Sequence, residues 1–319
     1  MTRIYESLSE LDTLLKGVKK HFLYSDEIAA QILVTLNQDA VAHSDKLEPD
    51  CDHITTLSRL NKALDYVIDE FDKPISVSFI REISEIIHPS NMGFRRSTAH
   101  IIGAKGRYIM INPEKIVREL EKVVLYLAED NGVHPALKAA QFHHLFALIH
   151  PFDDGNGRTI RLLQNIFLYK HGIPPATILN TERPTYLNHI EDATIAFRDR
   201  NGQEEMFSNY SHPEYRFFEY MVDKIKSTTE LLSSKISHLN KYKVTLTFKK
   251  YNKIALGKVK EGLHRFLSSH HGEPHFCNNN GDLYVTTSAA EESIIGYLQK
   301  YKNGNKNLCS YDVATWNKK

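Results

Sequence analysis

The sequence predicts a mainly α-helical protein: a helical domain that carries one β-hairpin, followed by a small C-terminal α+β domain. Three observations carry this. Apolar residues recur at helical spacing through most of the chain up to about residue 240. Between Asn91 and Pro113 that pattern gives way to two short β-prone runs divided by glycine. Beyond about residue 241, strand-like and helix-like periods alternate.

Taken in order, Leu11, Leu14, Leu15 and Val18 lie on one helical stripe. Ser25-Asp26-Glu27 reads as a helix start, with Ile28, Ile32, Leu36 and Val41 continuing to about Ser44. Glu48-Pro49-Asp50-Cys51-Asp52 is a polar break. Thr56 to Phe71 and Val77 to Ile87 are two amphipathic helices separated by Lys73-Pro74. His100-Ile101-Ile102 and Tyr108-Ile109-Met110-Ile111 form the hairpin, with its turn near Ala104 to Arg107. An isolated hairpin is marginal in water, so it is expected to lie over something. Asn112-Pro113 reads as a cap and first position of a helix running from about Glu114 to Glu129.

Pro135 to Ile149 is apolar on nearly every face, the mark of a buried central helix. Ile160 to Leu168 belong to a second such helix, closed by Gly172. Arg183 to about Arg200 and Pro213 to about Leu239 are two more, the first ending in an Arg-Asn-Gly turn. Val244 to Phe248 is strand-like, and Ile254 to Leu267 helical. His275 to Thr287 is a hairpin turning at Asn278-Asn279-Asn280-Gly281, and Ala289 to Tyr301 a last helix. This makes a β-α-β-β-α appendage over about 242–305, with a polar, poorly fixed final dozen residues.

With 319 residues, the chain can bury a sizeable core without metal or disulfide staples. Forty basic against 39 acidic residues leave a net charge of +1, so no global field points to nucleic acid. Cys51, Cys277 and Cys309 have no ligand-type spacing and suit a reducing cytoplasm, the expected location. No signal-peptide core and no membrane-length apolar run is present, so no membrane partner is expected.

The chemistry gathers in His150-Pro151-Phe152-Asp153-Asp154-Gly155-Asn156-Gly157-Arg158-Thr159-Ile160-Arg161, between the two apolar helices. Glycines around Asn156 let backbone N–H groups approach an anion, and a helix start adds unpaired donors. Arg158 and Arg161 sit about one turn apart, and guanidinium forks suit phosphate oxygens. Asp154 is a hard oxygen ligand of the kind that holds Mg²⁺ beside phosphates. His150, at the end of a buried helix, suits proton abstraction near neutral pH. Each feature has a plainer reading: a connecting turn, a histidine satisfied by the helix dipole, a solvated arginine face. Phe152 is core under either reading. Together they point to a hydroxyl attacking a nucleotide phosphate.

At these residues the chain resembles the Fic family, whose signature His-x-Phe-x-Asp/Glu-Gly-Asn-Gly-Arg-x-x-Arg is met at every specified position from His150 to Arg161. Met92-Gly93-Phe94-Arg95 resembles the family's approach to its hairpin. His134-Pro135 with Ala139-Ala140 resembles the helix before the signature. The similarity covers roughly residues 25–210 and implies a Fic-type helical domain with a flap. It implies N-terminal helices over 1–90, a Fic core over 91–210, a connecting helix over 211–240 and the appendage over 241–319.

The resemblance implies a nucleotidyltransferase that moves AMP from ATP to a Ser, Thr or Tyr hydroxyl of a protein. His150 would be the base, Asp154 the Mg²⁺ ligand, and Gly155, Asn156 and Gly157 the anion hole. Arg158 and Arg161 would grip phosphates. The flap, Ile101, Ile102 and Gly103 included, would align the target strand. Tyr186 falls where an aromatic residue near adenine is expected, although Leu187 stands where a second tyrosine is common. Asp39 to Pro49 resembles the family's inhibitory helix: Ser44 and Glu48 match and Pro49 departs. Thr287 to Glu291 and Ser78 to Glu82 share the spacing, and position selects Glu48.

Two alternatives stay open within that frame: transfer of UMP or phosphocholine, and a non-enzymatic nucleotide-binding adaptor. A homo-oligomer is left open. A zinc or iron site from His143, His144, His150 and Asp154 fits no helical ligand spacing. Lysines between Lys241 and Lys253 interleave with Tyr242, Phe248 and Tyr251; they read as a solvated face, and nucleic acid is not an expected partner.

Overall fold

The computed structural model describes residues 2–21, 26–48, 52–200, 206–237, 240–249, 253–271, 274–279, 282–304 and 307–315. Ser25, Pro49, Gly202 and Gly281, singled out above, lie outside the described residues. The chain divides into two compact units: residues 1–15 with 32–230, and residues 16–31 with 231–319.

The first unit is helical. Its elements are α1 (Thr2–His21), α2 (Asp26–Lys46), α3 (His53–Asp69), α4 (Val77–Ile87), α5 (Ile116–Ala128), α6 (Pro135–Ile149), α7 (Asn156–Lys170), α8 (Arg183–Asp199) and α9 (His212–Ser237), counting those that reach into it. The hairpin is β1 (His100–Gly103) and β2 (Gly106–Ile109), antiparallel, with Ile101 opposite Tyr108 and Ile102 opposite Arg107.

Local chemistry sets the helix starts. Asp52 accepts the N–H groups of Ile54 and Thr55 ahead of α3, and Ser76 accepts that of Phe79 ahead of α4. Asn112 accepts from Glu114 at 3.1 Å, as a cap should, but the first turn after Pro113 is 3-10 and α5 proper begins at Ile116.

The centre of this unit is α6, buried over almost its whole length, packed against α5 and α7. Phe142, Phe146 and Phe152 are fully buried there beside Ile80, Ile83 and Ile87 of α4. The Phe94 ring stacks on Phe152 at 5.5 Å, joining the hairpin's approach to the signature loop.

The second unit holds β3 (Asn240–Phe248), α10 (Lys253–His271), β4 (His275–Asn279), β5 (Asp282–Thr287), α11 (Glu291–Gly304) and β6 (Leu308–Thr315). The sheet order is β4-β5-β3-β6 with every neighbouring pair antiparallel. This is the split β-α-β, or ferredoxin-like, arrangement. Over residues 308–315 it corrects the reading of the final dozen as poorly fixed, since β6 pairs along β3 from Tyr242–Thr315 to Phe248–Leu308; residues 316–319 lie outside the described residues. Only Leu308 in β6 is fully buried, with Tyr311 and Val313 packed partly buried on the core, so this edge strand left a weak apolar signal. Alternation in β3 sends Tyr242, Val244 and Leu246 into a core with Val259, Leu263, Ile294 and Leu298.

Leu308→Ala should lower the stability of the second unit by about 2–5 kcal/mol, the usual cost of truncating a buried leucine. Amide exchange in β3 and β5 should quicken while exchange in α6 stays unchanged; equal exchange in the wild type and variant would contradict the pairing.

Candidate active site

The signature loop begins where α6 stops. His150 caps α6 in a left-handed backbone conformation, φ 47°, its N–H held by the Phe146 carbonyl at 2.8 Å. Such backbone is costly for a residue with a side chain and persists where neighbours over-determine it. Arg95 is the neighbour. Its guanidinium is 2% exposed and donates to the carbonyls of His150 (2.6 Å), Ile149 (3.2 Å), Ser97 (2.8 Å) and Ile111 (2.5 Å). One side chain thus ties the end of α6 to both feet of the hairpin. The sequence held no signal for this beyond an arginine at the hairpin approach.

Asn156 closes the loop from the other side. Its amide accepts from Phe152 N–H at 3.0 Å and donates to Phe152 O at 2.7 Å. The side chain is therefore consumed by the loop, and only its backbone N–H is left for an anion. Gly155 takes the left-handed conformation, φ 74°, that turns the chain into α7. No side chain caps α7. Thr159 is the first residue whose N–H reaches back to the Gly155 carbonyl, so the N–H groups of Asn156, Gly157 and Arg158 form a ready anion site, while that of Gly155 is given to Asp154 Oδ1 at 2.5 Å.

A cavity of about 650 Å³ opens beside this helix start. Of the sequence-predicted residues, His150, Asn156, Gly157, Arg161, Tyr186, Glu48, Ile101 and Gly103 line it. Asp154, Gly155 and Arg158 are not in its wall. Asp154 is on the outer side of the loop, its carboxylate 3.2 Å from His88 Nε2 and 3.5 Å from Arg158. Gly155 backs onto His88. Arg158 is buried behind α7, 3.5 Å from the Thr56 hydroxyl, with Nε unpartnered among the described residues. Ile102 lies on β1.

Arg161 carries the densest polar contacts of the site. Its Nε donates to the Ser44 hydroxyl at 2.7 Å and one terminal nitrogen to Glu48 at 2.7 Å and to the Ser44 carbonyl at 3.2 Å. Burial works against its charge, but Tyr186 and the Glu48 carboxylate outweigh it and raise its pKa. A Cβ on Gly157 would stand 2.8 Å from Glu48 Oε1, so the carboxylate lies directly over the first turn of α7. Arg183 holds the Leu47 carbonyl at 2.6 Å and so fixes the segment that carries Glu48.

Tyr186 is 4% exposed and belongs to this network rather than to an open ring surface. Proton directions follow from one unambiguous donor. Ala176 N–H gives to Asn165 Oδ1 at 3.0 Å, the same oxygen receives Gln164 Nε2 at 3.4 Å, and Gln164 Oε1 then faces His143 Nδ1 at 2.6 Å. His143 Nδ1 is the donor, its Nε2 accepts the Tyr186 hydroxyl at 2.9 Å, and the tyrosine oxygen is left to receive Arg161.

Histidines in this region are held neutral. Burial brings His143 down to about 3 and His144 to about 4; burial, with the Arg95 charge, brings His150 down to about 4. A neutral imidazole at His150 can accept a proton at neutral pH. Sequence reasoning also missed Glu191, whose contacts with the hairpin are described below; the only signal was an acid flanking the buried stripe Tyr186, Ala193, Phe197.

Residues 74–168 match the model of the Fic/DOC family. It is 30% identical over 138 residues to protein adenylyltransferase fic-1 of Caenorhabditis elegans, a match covering 42% of this chain and 26% of that protein. It is 32% identical over 143 residues to protein adenylyltransferase Fic of Nematostella vectensis, covering 42% and 33%. The matches thus span about a quarter to a third of these relatives' length. In fold, the chain resembles a Fic domain containing signaling protein from Bacteroides thetaiotaomicron, with a TM-score of 0.61 at 19% identity over 70% of this chain and 96% of that one. It also resembles a Fic family protein from Desulfovibrio desulfuricans, with a TM-score of 0.54 at 12% identity over 95% of this chain and 87% of that one.

The histidine pKa values set the acid response. In the unfolded chain these histidines bind protons near pH 6.5, in the folded one only near 3 to 4. Stability is therefore fully present above about pH 7 and is lost as pH falls from 6.5 toward 4, by about 1.4 kcal/mol per pH unit for each histidine. Urea titrations between pH 4.5 and 8 measure this slope; a flat profile below pH 6 would contradict neutral burial.

Proposed function

We propose that this chain transfers AMP from ATP to a Ser, Thr or Tyr hydroxyl of a protein and releases pyrophosphate. The observation that carries it is the placement of a neutral His150 on one cavity wall with the uncapped start of α7 and Arg161. The relatives named protein adenylyltransferase support the same reading.

In this reading the triphosphate lies along the N-terminus of α7, where backbone N–H groups and the helix dipole favour anions. Arg161 takes an outer phosphate. The target hydroxyl gives its proton to His150. Its oxygen bonds to the α-phosphorus, the bond from that phosphorus to the bridging oxygen breaks, and pyrophosphate leaves. Arg158 contributes from behind the wall, and Tyr186, on the wall itself, by receiving Arg161 rather than by stacking on adenine.

Mg²⁺ fits at Asp154. The donor set is one hard carboxylate, 64% exposed at its side chain, beside an anion-binding helix start, and Mg²⁺ is usually held by one or two carboxylates plus phosphate oxygens. When bound there, the ion would offset charge on the phosphates. His88 and Arg158 steady the carboxylate.

Glu48 makes the resting state an inhibited one. Its carboxylate occupies Arg161 and overhangs Gly157, where an outer phosphate would have to rest. Two like charges at that separation repel.

Incubation with ATP labelled at the α-phosphate tests the function. His150→Ala should abolish transfer of label to protein, and Glu48→Gly should raise self-labelling about tenfold or more, since release of one charged contact is worth 1.5–3 kcal/mol. Label transfer that survives His150→Ala, or none even with Glu48→Gly, favours a nucleotide-binding adaptor. Transfer from UTP or a choline-bearing nucleotide in preference to ATP would redirect the group transferred.

A further inference from the structure

The hairpin is two strands of four residues each, and a lone two-stranded hairpin is marginal in water. Arg95 holds its feet. Its tip is held by a different element, 86 residues further along the chain from Lys105. Glu191 on α8 accepts the backbone N–H of Ala104 at 3.0 Å and of Lys105 at 2.7 Å, and the Tyr108 hydroxyl at 2.9 Å. Asp192, the next residue, pairs with the Lys105 ammonium. Glu191 is 9% exposed, so these are charge-assisted bonds with little competition from water. A Cβ on Gly103 would stand 2.3 Å from Glu191 Oε1 and 2.5 Å from its Cδ, so a side chain at residue 103 would push this carboxylate from its present place.

We infer that Glu191 is a positioning residue for the target segment, a reading that rests on the AMP-transfer function proposed above. Its oxygens already receive three donors, all from the hairpin, which leaves it unsuited to act as a base itself. Its effect is exerted through the hairpin. A target strand laid along the hairpin edge takes its position from the hairpin backbone. A hairpin fixed only at its feet can pivot, and a displacement of about 1 Å at a reacting centre can cost about a hundredfold in rate. With Arg95 at one end and Glu191 at the other, the hairpin is held at both its feet and its tip.

The test uses the full chain carrying Glu48→Gly, with Glu191→Ala, Glu191→Gln and Gly103→Ala added. Gly103→Ala reaches the same carboxylate from the other side and leaves Glu191 itself in place. Amide exchange at Ala104 and Lys105 should quicken about tenfold in Glu191→Ala, one hydrogen bond to a charged group lost at each amide. Glu191→Gln, which keeps one oxygen acceptor, should fall between. With dephosphorylated casein as an unfolded, hydroxyl-rich acceptor, the KM for casein should rise about tenfold while the KM for ATP stays within about twofold. Gly103→Ala and Glu191→Ala should not be additive, because both act on one contact. Unchanged exchange at Ala104 and Lys105, a KM for ATP that rises in step with that for casein, or full additivity would overturn the inference. The exchange measurement needs no turnover, so it judges Glu191 separately from the His150→Ala assay that judges the activity.

Discussion

One buried guanidinium holds the site together. Arg95 donates to carbonyls at the end of α6 and at both feet of the hairpin. A charge at 2% exposure is costly unless its donors are met. Here the carbonyls that meet it are those a helix end and a hairpin base leave without partners. The same contact stabilises the left-handed backbone of His150 and adds positive charge beside its ring. Position and strain of the proposed base therefore share one cause, and its neutrality rests first on burial and then on that neighbouring charge.

Around that anchor the site is built of groups already satisfied by one another. Asn156 is closed on Phe152, Tyr186 on His143, and Glu191 on the hairpin tip. Such pairing keeps these groups aimed without reorganisation, which is what a phosphate site in a low-dielectric wall needs. Arg161 is the exception, because its partner Glu48 comes from the end of a distant helix rather than from the site's own elements. A long-range carboxylate can leave without unfolding the loop. That makes the Arg161–Glu48 pair the natural place for control.

Much of the fold was legible. The bounds of α4 and α6 follow from apolar period, a serine cap and a proline at the first position, all local effects. The signature loop declared its residue types without ambiguity. Its division of labour was less legible. Arg158 and Arg161 are equivalent by spacing, yet one packs behind α7 against Thr56 and the other lines the cavity. The Asn156 side chain closes the loop on Phe152, a task that its place between two glycines did not show. The strand β6 was missed because its inward residues Tyr311 and Val313 are only partly buried and give a short, weak alternation.

By itself the sequence determined the helices, the hairpin and the chemistry available at His150 to Arg161. Capping, periodicity and glycine backbone freedom act within a few residues, and the chain spells them out. Only the tertiary structure decided which groups meet: Arg95 with His150, Glu191 with Lys105, Glu48 with Arg161. Those pairs are separated by 55, 86 and 113 residues. Partnership at such distances depends on how helices pack and on which buried polar groups must be satisfied, and neither leaves a period in the sequence.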